Sequence, residues 1–323
     1  MLTQRPPYLR RARGLCHLLT FLTCASIIMA GQSEGHPPAQ PHAKGGKLER
    51  PSKERVQKFK AAAERALQQY QMMQFTMPKS QDTAPPEGAK TAPQGKEKMG
   101  GGIRARSAAP TDKVFSWRPL IAFNTNENQG SCGSCYIFAG VGALEESWAK
   151  QNLTKSIVAS QQLVLNCVGS CGGGYLSTVM EFLTDKGTTQ ASSIGYTGIP
   201  AGCSFSPPLP YKGIAAEFVA SDGGMPAEAD LKAAILKYGP IGAFIYAGGT
   251  FDDWNQQEPA LISDDSSGAD NAHIILITGW NDNVNAWEIK NSWGPSWGDN
   301  GFAYVKKGVR DIGDNAMWIV ALP

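Results

Sequence analysis

The stretch Asn128-Gln129-Gly130-Ser131-Cys132-Gly133-Ser134-Cys135-Tyr136 holds the residues best suited to covalent chemistry. Cys135 stands where a Gly/Ser-rich loop gives way to an apolar helical pattern. Its thiol is expected at the positive end of a helix dipole, among backbone N–H groups with no helical partner. Both favour the thiolate, the reactive form of cysteine. Efficient acyl transfer also needs an imidazole, first as base and then as acid. The chain has four histidines: His17 falls in an N-terminal leader, His36 and His42 in a linker-like region, and His273 in the apolar-rich remainder. A lone histidine on an apolar strand is more often a satisfied core residue than a catalyst. With a nucleophile upstream and no other imidazole in the folded part, His273 is nevertheless the expected base. An imidazole needs a partner that fixes its tautomer, and Asn291, which opens Asn291-Ser292-Trp293-Gly294-Pro295-Ser296-Trp297-Gly298, is the candidate.

These residues must be carried by regular elements. Ile137, Phe138, Val141, Leu144 and Trp148 give Cys135–Lys150 one apolar side, the pattern of a helix. Further helices are expected near Gln161–Leu165 and Ser177–Lys186. The second half is strand-rich: His273–Ile277 is a buried run, Ala286–Lys290 alternates, and Phe302–Val305 is a shorter candidate. Asn281-Asp282-Asn283 supplies the turn between the first two. Helices followed by strands predict an α+β fold with two lobes.

Charge and composition divide the chain further. Residues 1–30 carry Arg5, Arg10, Arg11 and Arg13 and no acid, followed by the apolar run Leu15–Met29 and the small pair Ala30-Gly31. This is the form of a secretory signal peptide, too short and too interrupted by Thr20, Thr23 and Ser26 for a membrane span of about 20 apolar residues. Residues 31–110 hold fourteen Lys/Arg against seven Asp/Glu and read as a basic linker or pro-segment. Within it, over about 52–76, Ser52 is a possible N-cap, and Val56, Phe59, Ala63, Ala66/Leu67, Tyr70 and Met73 form one apolar helical face. Such a face needs a partner surface. Residues 111–323 are net acidic, with twelve bases against twenty-one acids, and contain all eight tryptophans. A folded nucleic-acid-binding domain is expected to be basic, so that class is set aside.

Export gives the cysteines a second meaning. Of seven, Cys16 and Cys24 leave with the signal, and Cys132, Cys135, Cys167, Cys171 and Cys203 remain. In an oxidising compartment pairing is the default, so an odd count leaves a thiol that needs a reason.

With Cys135, His273 and Asn291 spaced in this order, residues 111–323 resemble the papain-like cysteine peptidases, beginning at Phe115-Ser116-Trp117-Arg118. The resemblance implies a two-lobed α+β fold, with a helical N-terminal lobe, a β-barrel-like C-terminal lobe and the active-site cleft between them. It implies Cys135 as nucleophile, His273 as general base and acid, and Asn291 orienting the imidazole beneath Trp293. The Gln129 side chain and the Cys135 backbone N–H would form the oxyanion hole. Gly173 and Gly174 would let an extended substrate lie close, while Tyr175, Leu176, Ala272, Trp293 and Trp297 would line its site. Disulfides Cys132–Cys171 and Cys167–Cys203 are implied, leaving Cys135 free. Tyr136 stands where the family more often has tryptophan, and the basic segment lacks the family's long helical pro-region signature. The expected protein is a secreted cysteine endopeptidase that acts on peptides through a thioester. It would be made with its own pro-segment in cis, need no metal or cofactor, and work in an extracellular, periplasmic or lysosomal setting.

Other readings fit parts of the pattern. Cys132-Gly133-Ser134-Cys135 is a C-x-x-C motif of the kind used by thiol-disulfide oxidoreductases, although no βαβ pattern surrounds it. Cys132, Cys135, Cys167 and Cys171 have spacing suited to structural zinc. A transferase using the same acyl-enzyme, or a silent peptide-binding relative, would share the catalytic motifs.

Overall fold

The computed structural model describes residues 50–76, 108–152, 156–254, 261–265 and 271–322. The expected signal peptide and most of the expected linkers lie outside them. Helix α1 (Lys53–Thr76) starts where Ser52 Oγ accepts the Arg55 N–H at 3.2 Å, as an N-cap does. Strand β1 (Val114–Ser116) follows. Helices α2 (Cys135–Asn152), α3 (Gln161–Val168) and α4 (Leu176–Asp185) come next. The remainder runs β2 (Gly213–Phe218), α5 (Glu228–Tyr238), β3 (Ile241–Tyr246), β4 (Leu261–Ile262), β5 (Ala272–Asn281), β6 (Ala286–Lys290), β7 (Phe302–Lys306) and β8 (Met317–Ala321).

The strands form one sheet in the order β2-β8-β3-β5-β6-β7-β4, with β1 pairing the far end of β5. All pairings are antiparallel except β4 with β7. Successive strand residues face opposite sides, and two hydrophobic cores result. Leu276, Met317 and Ile319 pack with Ile137, Val141, Leu144, Val179 and Leu183 of the helices. Ile275, Ile277 and Trp318 pack with Trp117, Ile235 and Trp280 on the other face. Because both faces are covered, the middle of β5 reads as a continuous apolar run rather than an alternation.

The expected barrel-like lobe is not what forms. The sheet stays open, since its terminal strands do not pair with each other. At one end, β4 contributes Leu261 and Ile262 among the described residues, opposite Tyr304 and Val305. At the other, β2 has helices packed on it, with Phe59 of α1 edge-on to Phe218 at 5.6 Å. The edge of β2 that would have to pair for closure is instead held by a helix.

Close packing lowers α2 onto the sheet. A Cβ at Gly140 would lie 2.4 Å from Val179 Cγ1, and one at Gly142 2.8 Å from Leu276 Cδ1. Glycine at 142 lets the helix that begins with Cys135 approach β5, which begins beside His273, and glycine at 140 lets the same helix approach α4.

Candidate active site

Cys135 opens α2, and the first helical bonds close on Ser134, whose carbonyl accepts from Ile137 at 2.8 Å and Phe138 at 3.2 Å. The Cys135 N–H therefore lies in the first turn, where backbone donors have no helical acceptor. Cys132 is bonded to Cys171 and Cys167 to Cys203, and Cys135 is the free cysteine among the described residues.

Burial pushes the Cys135 thiol up to about 11, against the lowering effect of the Ile274, Tyr136 and Cys135 backbone N–H groups. The sequence-based expectation that the helix end would favour thiolate captured only that smaller effect. Desolvation outweighs the backbone donors, so the proton needs an acceptor at the site. The contribution of the Ile274 N–H also locates the sulfur, beside the backbone immediately after His273.

His273 Nε2 lies 2.8 Å from Asn291 Oδ1. That same oxygen accepts the Ser292 backbone N–H at 2.8 Å. An oxygen already accepting from an amide orients the carbonyl end of Asn291 toward the ring, so Nε2 carries the proton and Nδ1 is left as the base. The ring is flanked by Trp293, its centroid 4.8 Å away and tilted by 34°. Phe251 closes the other approach, at 6.0 Å from His273, 5.4 Å from Trp293 and 5.0 Å from Trp297. Trp297 is tied to this group through Nε1, which donates to the Phe251 carbonyl at 2.8 Å. This aromatic shell keeps water from the His–Asn bond and makes it electrostatically stronger.

Gln129 is held at both ends of its amide. Nε2 donates to the Cys132 carbonyl at 3.0 Å, while Oε1 accepts from Ser292 Oγ at 2.7 Å. One Nε2 hydrogen is thereby used, and the second is available to an oxyanion. The strand-like run 127–129 lies antiparallel to 292–294, through Gln129 N to Ser292 O at 2.9 Å and Gly294 N to Glu127 O at 2.8 Å. Beneath it, Lys290 pairs with Glu127, both almost wholly buried, and Gln161 Nε2 donates to the other Glu127 oxygen at 2.6 Å. One buried ion pair thus links the segment bearing Gln129 to the segment bearing Asn291.

Tyr136 packs against the expected substrate loop. Its hydroxyl donates to the Ser170 carbonyl at 3.1 Å and accepts the Ser170 N–H at 2.8 Å. A Cβ on Gly174 would meet its ring at 2.5 Å, whereas one on Gly173, at φ +96°, would enter open space. Gly174 is therefore required by Tyr136, and only Gly173 fits the reasoning that a side chain would obstruct an extended substrate. Tyr175 is half exposed and Ala272 partly buried. Leu176 is placed differently: it is buried in the helical core, close to Gly140 and Gly242. Trp297 is likewise buried, packed against Phe251 and Trp293 rather than open to a substrate.

Sequence reasoning passed over Ser292 and Phe251. Ser292 lies inside the Asn291–Gly298 motif, and its position beside Asn291 is the signal that would have found it. Phe251 precedes an acidic, loop-like stretch with no pattern to mark it.

A family model described as papain family cysteine protease matches residues 111–320. Cathepsin B-like CP3 of Giardia intestinalis is 30% identical over 235 residues, covering 65% of this chain and 77% of that protein. Pro-cathepsin H of Medicago truncatula is 30% identical over 211 residues, covering 62% of this chain and 57% of that protein, so the match spans little more than half of that relative. The structure of digestive procathepsin L 3 from the Tenebrio molitor larval midgut is similar with a TM-score of 0.57 and 25% identity, covering 66% of this chain and 71% of that one.

Proposed function

The chain belongs to the papain family of cysteine proteases, and from that premise we propose that it is exported as a precursor whose catalytic part, residues 111–323, is an endopeptidase working outside the cytosol. The observation that carries the catalytic roles is the double acceptance at Asn291 Oδ1, from His273 and from Ser292 N–H, which puts the imidazole proton on Nε2 and makes Nδ1 the base.

In this reading Cys135 Sγ attacks the scissile carbonyl carbon as its proton passes to His273 Nδ1. The carbonyl oxygen becomes an oxyanion that accepts from Gln129 Nε2 and the Cys135 N–H. Donors aimed at developing charge in this way are each worth on the order of 3 kcal/mol. The tetrahedral intermediate collapses, and the imidazolium protonates the departing amine. A thioester between Cys135 and the acyl half of the substrate remains. Water then attacks it with His273 as base, releasing the acid and regenerating the thiol. Gly173 and Tyr175 stand on the loop along which the extended peptide would lie.

The redox alternative loses its support, because Cys132 is bonded to Cys171 and not to Cys135. The same two disulfides occupy three of the four thiols that the zinc site would need, Cys132, Cys167 and Cys171. No helix among the described residues is long and apolar enough to cross a membrane.

The test is hydrolysis of an internally quenched peptide library by the processed protein, with a competing amine added. Cleavage within peptides, abolished in Cys135→Ala and His273→Ala, is the expected result. Loss of activity in neither variant overturns the assigned roles. Exclusive capture of the acyl group by the amine would make the protein a transferase, and release of terminal residues alone would make it an exopeptidase.

A further inference from the structure

Residues 50–67 meet the rest of the fold as a built-in part of it. Val56, Phe59 and Ala63 are 2%, 7% and 1% exposed. Val56 and Phe59 belong to the core that holds Ala216 and Phe218, whereas Ala63 belongs to the core that holds Ala215. Neighbouring strand residues point to opposite faces, so α1 reaches the cores on both sides of the sheet across the outer edge of β2. An apolar terminal strand left bare is an aggregation-prone edge, and a covering helix is one way to protect it.

The polar contacts fit as well. Arg55 donates to Thr178 Oγ1 at 3.2 Å and to Glu181 at 3.4 Å, Lys58 pairs with Glu181 at 2.6 Å, and Arg50 pairs with Asp314 at 3.3 Å. The receiving loop is shaped for the segment. A Cβ on Gly223, at φ +74°, would lie 2.4 Å from Pro51 Cγ and 2.9 Å from Val56 Cγ2, and one on Gly224 would lie 2.3 Å from Arg50 Nη1. Two glycines in succession leave room where the chain enters α1. None of these receiving residues is Gln129, Cys135, His273, Asn291 or Trp293. Thr178 and Glu181 belong to α4, the helix that follows directly on Gly174 and Tyr175.

We propose that α1 is an activating element that stays bound to the catalytic domain after the chain is cut between residues 77 and 107, making the working enzyme a two-piece assembly. It covers β2 and braces α4, and through α4 the loop at Gly173–Tyr175. Whatever silences the precursor is then not α1. The inference rests on the precursor reading above, but its test does not depend on natural processing.

A recognition sequence for a site-specific protease is placed within 77–107 of the full chain, and the protein is cut at about 1 μM, a concentration at which only micromolar or tighter complexes persist. Size exclusion with intact mass analysis is expected to show the helix fragment travelling with the domain. Peptidase activity per active site should stay within twofold when excess synthetic 50–76 peptide is added. Arg55→Glu/Lys58→Glu, which reverses both charges facing Glu181, is expected to release the fragment after cutting and to raise KM several-fold, with little effect before it. Phe59→Ala should act in the same direction through packing. Separation of the wild-type fragment from a folded domain of undiminished activity overturns the proposal, as does inhibition by the added peptide. A wild-type chain that is fully active uncut and never processes itself would instead sink the precursor reading, and the co-elution result would still stand for α1.

Discussion

Glu146 is a carboxyl that the fold holds against its preference for charge, and removing its ability to ionise should stabilise the protein. It is 1% exposed, and its Oε2 meets no hydrogen-bond partner. Burial raises it well above its ordinary 4.5; Lys290 opposes this and Glu127 adds to it. Neighbouring Glu145 is raised in the same way, by burial first and then by Glu127, although its Oε1 accepts the Ala159 N–H. One lysine therefore faces three carboxyl groups, and its charge is matched by Glu127. A carboxyl raised in the fold keeps its proton where the unfolded chain has released it. Above about pH 4.5 unfolding then liberates a proton, and stability falls with rising pH until the folded value is passed. Each pKa unit is worth about 1.4 kcal/mol, and about three units separate 4.5 from pH 7.5, which caps the loss at roughly 4 kcal/mol per group. Glu146→Gln keeps the shape and removes the titration. In urea unfolding it should exceed the wild type by at least about 1 kcal/mol at pH 7.5 and match it near pH 4.5, with a flatter profile between. Glu145→Gln should behave alike. A wild type whose stability is level or rises from pH 5 to 7.5, or a Glu146→Gln protein less stable than wild type at pH 7.5, would refute this account of the buried cluster.

Other outcomes follow from the site itself. Ser292→Ala removes the donor that pins Gln129 Oε1; at about 1 kcal/mol for a neutral hydrogen bond, kcat should fall roughly fivefold with KM nearly unchanged, in steady-state peptide hydrolysis. In His273→Ala burial still pushes the Cys135 thiol up, and the imidazole that would take its proton is gone. Alkylation of Cys135 should then be slow at pH 7 and accelerate tenfold per pH unit, whereas in the wild type it should be fast at neutral pH. Gly174→Ala drives a Cβ into Tyr136, which should raise KM and lower the melting temperature; Tyr136→Ala in the same chain should relieve part of both. Replacing Cys167 and Cys203 together by serine opens a loop spanning 36 positions and should cost about 4 kcal/mol in denaturant unfolding on the chain-entropy model.

Composition and local spacing were enough to point to the residue types proposed for the chemistry. The odd cysteine count called for a free thiol, His273 is the only histidine among the described residues, and the apolar periods of α2 and β5 placed both near the ends of elements. These are local properties, carried by composition and by spacing of 3.6 or 2 residues. Properties that depend on contacts between distant segments emerge only in the folded chain. Whether the sheet closes is a matter of how its two end strands meet, and β2, β3, β8 and α5 have no pattern strong enough to announce that. The thiol's acidity followed burial, which opposed the helix-end effect legible at Cys135 and outweighed it. Leu176 sits at a position that the family pattern assigns to substrate, yet packing turned it into the core. The apolar stripe of α1 showed that it needed a surface, but only the fold could choose the edge of β2, because the complementary residues Phe218, Glu181 and Asp314 lie more than a hundred positions away and share no local signal with it.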